Sequence, residues 1–165
     1  MTPMARRIAV LALALAPVSM APLAAAGQAP DPAKDPVIGT WQLDVSKSKY
    51  SPGPGPKSET RVYRWTGSGI LAVITRTHRD GRVEKIEYGA DQDSVNHVNG
   101  TPDYDAVTLK KVNAYTSEAT LSHAGRLFGT ARRVIAPDGM SMVITFRQDG
   151  QPPITNVSSY TKVGP

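Results

Sequence analysis

The chain has 165 residues, 40% of them hydrophobic, with 19 Lys and Arg against 14 Asp and Glu for a formal net charge of +5, and no cysteine. The missing cysteine excludes disulfides, a thiol nucleophile and a lipoprotein attachment site. The basic residues are scattered along the chain rather than gathered on one helix or tail, so charge points neither to nucleic acid nor to an anionic membrane surface.

Arg6 and Arg7 lead into an uncharged Ala/Leu/Val-rich run from Ile8 to Ala26, the shape of a secretory signal peptide. Ala24 and Ala26 fit the small-residue cleavage rule, and Pro17 and Pro22 interrupt the run where a membrane helix would lose hydrogen bonds. Cleavage after Ala26 is expected, leaving no stable membrane span and a periplasmic or secreted protein. Without Arg6 and Arg7 the balance falls to 17 basic against 14 acidic residues. Residues 27–36 are small, polar and proline-bearing and read as a disordered leader. Residues 37–165 have the size of a single compact domain.

From Val37 onward, short segments rich in Val, Ile, Thr and Tyr alternate with turn dipeptides, and no segment has a helical period. Gly39 to Val45 alternates cleanly, with Trp41, Leu43 and Val45 on one face. Ser46 to Ser58, carrying Pro52, Pro54 and Pro56 between glycines, reads as a long loop with the character of a lid. Glu59 to Trp65 and Gly69 to His78 read as strands around Thr66 to Gly69, and Asp80-Gly81 turns the chain into Arg82 to Tyr88. Ser94 to Asn99 and Ala106 to Val112 are weaker strands. Thr116 to His123, Arg126 to Ile135 and Met140 to Arg147 form hairpins around Ala124-Gly125 and Pro137-Asp138-Gly139, and Asp149-Gly150 leads into Ile154 to Val163. In the penultimate strand Met140, Met142, Ile144 and Phe146 share one face.

So many hairpin-linked strands must close on themselves or stack to avoid open edges. The expected fold is all-β: an antiparallel up-and-down barrel of eight to ten strands, with a two-layer β-sandwich as the alternative.

The Gly39-Thr40-Trp41 opening of the first strand resembles that of the lipocalin and fatty-acid-binding (calycin) barrels, in which the Trp closes one end. Together with Ser48 to Pro54, Asp105 to Lys111 and Pro137-Asp138-Gly139, it is similar to a group of small exported bacterial proteins described as lipocalin-like. The resemblance implies a barrel closed by Trp41 and room inside for one small ligand.

No catalytic, metal or cofactor motif stands out. His78, His97 and His123 lie on separate segments without ligand spacing, and there is no nucleophile elbow, P-loop or dinucleotide fingerprint. Glu84 and Glu87 fall on a polar stretch and nominate no acid–base pair, so a non-enzyme is expected. Arg61, Tyr63 and Trp65 share one face of their strand, either lining a cavity or forming an outer stripe. The adjacent pairs Lys110-Lys111 and Arg132-Arg133 send one charge to each face, so one guanidinium points inward, to a barrel mouth, a carboxylate or an anionic ligand. Tyr63, Trp65, Arg132 and Arg133 are the candidate ligand residues, and the candidate ligand is a small hydrophobic or amphipathic anionic molecule. The alternative is a filled barrel that binds an envelope protein through its surface.

Overall fold

The computed structural model describes residues 31–165, so the expected signal peptide and the first residues of the expected leader, 27–30, lie outside the described residues. Ten strands follow one another: β1 (Gly39–Ser51), β2 (Ser58–Trp65), β3 (Ile70–Thr77), β4 (Val83–Gly89), β5 (Val95–Asn99), β6 (Ala106–Asn113), β7 (Thr116–His123), β8 (Arg126–Ile135), β9 (Ser141–Gln148) and β10 (Ile154–Gly164). Each is hydrogen-bonded antiparallel to its sequence neighbour, and β10 returns to β1, giving a closed up-and-down barrel. The sandwich alternative is thereby excluded. Closure leaves no free edge, which suits a domain with no disulfide to restrain it.

This topology segregates the connections. The turns β2–β3, β4–β5, β6–β7 and β8–β9 gather at the end where the chain enters, and the loops β1–β2, β3–β4, β5–β6, β7–β8 and β9–β10 gather at the other. The entry end is packed shut. Trp41 has no exposed surface and donates from Nε1 to the Val37 carbonyl at 2.7 Å, while Lys162 Nζ stands 5.3 Å from the centre of its ring. The leader contributes to this closure: residues Pro32–Lys34 form a single 3-10 turn, and Asp35 accepts from Lys111 Nζ at 2.7 Å. Residues 31–36, within the expected leader, are tied to the barrel by a half-buried ion pair and the adjoining buried Val37.

Two β-bulges account for the main departures from simple alternation. In β1 the pairing jumps from Asp44↔Ser159 to Lys49↔Val157, and the extra residues are held by Asp44 Oδ1, which accepts from Ser46 Oγ and Lys47 N. The strand thus continues to Ser51, through what sequence alone reads as loop. In β8, Leu121↔Gly129 is followed by Ser122↔Leu127, so Phe128 is the unpaired extra residue. Phe128 turns inward although Ala131 and Arg133, which by strict alternation belong to the opposite face, also point inward. Met140 lies outside β9 and is exposed, while Met142 and Ile144 supply its buried face.

Candidate functional site

Toward the loop-rich end the interior opens into a cavity of about 560 Å³. Its wall is apolar and aromatic, formed by Leu121, Phe128, Ile144, Phe146 and Tyr104. Phe128 lies 5.7 Å from Tyr104 and 6.1 Å from Phe146 between ring centres, tilted in both cases, the separations at which aromatic rings attract. Gly129 is required beneath them: a Cβ there would stand 2.7 Å from the Phe146 ring. Residues Pro52 to Pro56 cross the mouth, and Gly55 lies so close on the Tyr50 ring that a Cβ would sit 2.2 Å from it. Tyr50 is in turn fixed by a 3.1 Å bond to Ser158 Oγ.

The polar part of the cavity is built around Glu59, which is 2% exposed. Its Oε1 accepts from Arg61 Nε and from the Tyr160 hydroxyl, both at 2.6 Å, and its Oε2 accepts from Arg76 Nε at 2.6 Å. Arg76 Nη1 continues to Glu84 Oε2 at 3.0 Å, and His78 Nε2 stands 3.4 Å from that oxygen. Register assembles this chain of charges. Glu59 pairs across the β2–β3 hairpin with Arg76, Arg76 pairs across β3–β4 with Glu84, and Arg61 lies two residues from Glu59 on the same face. Tyr160 reaches them from β10, with Arg61 Cζ 5.2 Å from its ring centre.

Burial by itself raises the Glu59 carboxyl, but Arg61 and Arg76, with the Tyr160 hydrogen bond, reverse this and hold it at about 2. The Tyr160 phenol moves the other way, above its ordinary value, because of its burial and the neighbouring Glu59 carboxylate, against the pull of Arg61. Glu59 is therefore an ionised counter-charge at neutral pH and Tyr160 a neutral donor.

None of the four ligand residues nominated from the sequence lines this cavity. Tyr63 points inward but is packed under it, with Arg133 Cζ 5.4 Å from its ring centre. Trp65 faces inward too, half-buried at the entry end, where it pairs with Ile70 beside the β2–β3 turn. Arg132 projects outside, where its half-exposed guanidinium is paired with Glu118. Each adjacent basic pair splits between the two faces: Arg132 and Lys110 point out, while Arg133 and Lys111 point in. The Phe128 bulge is what separates Phe128 from Arg132, which alternation had put on one face.

His78 borders the cavity, whereas His97 and His123 are exposed. Among the described residues no group of three His, Cys, Asp or Glu side chains is placed to hold a metal ion.

Fold and site together define a class: a closed, ten-stranded up-and-down barrel with an internal cavity that opens between its loops. Comparison with family models, with curated proteins and with solved structures finds no match to this chain.

Proposed function

We propose that this protein is an exported, lipocalin-like binding protein that holds one small hydrophobic or amphipathic molecule inside its barrel. The observation that carries the reading is the cavity. Its volume of about 560 Å³ falls within the roughly 300–1,000 Å³ of small-molecule sites. Its lining sets an apolar and aromatic wall beside fixed polar groups, the two components that orient a ligand in such sites. A barrel filled by its own side chains, as the envelope-interaction alternative requires, would leave no such volume.

The test is titration of the full-length protein with N-phenyl-1-naphthylamine, an uncharged fluorophore that brightens in apolar surroundings. Saturable one-to-one binding is expected. Ala131→Trp, which puts an indole into the cavity from β8, is expected to weaken it at least about tenfold, equivalent to about 1.4 kcal/mol. Unaltered binding by a folded Ala131→Trp variant would move the probe, and the proposed function, away from the cavity.

Export rests on the Arg6-Arg7 start, the run to Ala26 and the Ala24/Ala26 site. When the full chain is expressed in a Gram-negative host, intact mass spectrometry of the periplasmic fraction is expected to show a protein beginning at Gly27. Uncleaved chain confined to the cytoplasm would overturn this part of the proposal.

A further inference from the structure

The polar end of the cavity carries charges of both signs, and their arrangement bears on what kind of head group it receives. In many sites a buried guanidinium waits for a ligand carboxylate or phosphate. Here that position is already taken by the chain itself. The Glu59 carboxylate occupies Arg61, Arg76 and Tyr160 with three bonds of 2.6 Å, and Glu84 takes a further donor of Arg76 at 3.0 Å. The other ionic residues bordering the cavity, Arg79, Asp80 and Asp103, are exposed at its mouth, where Arg79 donates to the Gly55 carbonyl at 3.0 Å. Arg133, the remaining inward guanidinium on β8, borders the small space near Gln92 and Lys111 instead of the cavity.

Resting on the reading of this cavity as a ligand site, we infer that the ligand is an amphiphile with an uncharged hydrogen-bonding head, such as an alcohol or amide, and that Glu59 acts as a built-in counter-ion that rejects ligand anions. An entering carboxylate would meet an inner cluster in which Arg61 and Arg76 are already balanced by Glu59 and Glu84, while Arg79, which has no carboxylate partner among the described residues, lies in the solvent-exposed mouth. To form a full ion pair with Arg61 or Arg76 it would have to compete with Glu59 for their charge, and any loss of pairing at that buried carboxylate is costly. A ligand cation fares no better, because both inner carboxylates are already neutralised. An uncharged head disturbs neither balance and has a partner at hand. His78 Nε2 is buried in the wall and makes no hydrogen bond among the described residues, and a hydroxyl or amide, able to donate and accept, suits either imidazole tautomer.

The experiment is displacement of N-phenyl-1-naphthylamine from the full-length protein at pH 8 by dodecanol, dodecanoate and dodecylamine, three ligands with one chain length and different heads. The expected result is that dodecanol binds at least about tenfold more tightly than either ion. In Glu59→Gln, which leaves Arg61 and Arg76 short of a carboxylate, the dodecanol-to-dodecanoate ratio is expected to fall at least about tenfold. Where that variant does not fold, Glu84→Gln, which unpairs only Arg76 Nη1, is expected to move the ratio in the same direction. Dodecanoate binding as tightly as dodecanol to the unaltered protein would overturn the inference while leaving the cavity reading intact. So would a ratio unchanged in a folded variant. Failure of the probe itself to bind would instead overturn the cavity reading, and the inference with it.

Discussion

Replacing Glu59 by Gln is expected to cost the fold about 3–5 kcal/mol, the loss associated with removing one partner of a buried ion pair. The amide is nearly isosteric, so the change opens no cavity. What it removes is the negative charge that lets Arg61 and Arg76 be buried side by side, their side chains 13% and 25% exposed. Acid acts on the same group without mutation. Because the folded protein holds the Glu59 carboxyl at about 2 against an ordinary 4.5, its ionised form contributes stability that is fully present above pH 4.5 and is lost as pH falls through 2. The gap between these values corresponds to about 3 kcal/mol. Urea unfolding followed between pH 6 and pH 2.5 is therefore expected to show a stability that declines steadily below pH 4.5, with a shallower decline in Glu59→Gln. A loss below about 1 kcal/mol at pH 6 would mean that Arg61 and Arg76 do not depend on Glu59. Parallel acid curves for the two proteins would assign the acid sensitivity to other carboxylates.

The same cluster shows what a sequence discloses about such a site. Strand positions were legible because turn chemistry punctuates them. Asp80-Gly81, Ala124-Gly125 and Pro137-Asp138-Gly139 stand at real hairpin ends, and Trp41 and Leu43, or Met142 and Ile144, alternate onto a buried face. Glu59, Arg76 and Glu84 were not legible, because hydrophobic periodicity assigns charged residues to the outside and the polar stretch around Glu84 looks solvated. The missing information was register. Once the β2–β3 and β3–β4 hairpins are aligned, Glu59 faces Arg76 and Arg76 faces Glu84, an alternation of sign that an outward-facing row has less need of. Arg61 shares a face with Tyr63 and Trp65 that the sequence left as either a cavity lining or an outer stripe, and it was the signal within reach. The outward position of Arg132 escapes the sequence for a different reason. A bulge adds one residue without any mark in composition, and the one at Phe128 decouples the cavity wall from the rest of β8. The contribution of Tyr160 depends on closure between the first and last strands, the contact most remote in sequence, and local pattern carries no trace of it.

Trp41→Ala is expected to destabilise the barrel by about 3–5 kcal/mol, the usual result of truncating a fully buried large aromatic. Three things are lost together at the entry end. The indole volume leaves a void beneath Val37, the Val37 carbonyl loses its 2.7 Å donor, and Lys162 loses the ring face it stands over. Trp41→Phe separates these contributions. It restores most of the apolar bulk while still orphaning the carbonyl, so a smaller loss of about 1–3 kcal/mol is expected from urea unfolding at neutral pH. Because the indole closes the end opposite the cavity mouth, the folded Trp41→Phe protein should bind N-phenyl-1-naphthylamine as the unaltered protein does. A loss of probe affinity in that variant, with stability retained, would show that the two ends of the barrel are coupled. In that case the plug would help to shape the ligand site as well as closing the fold.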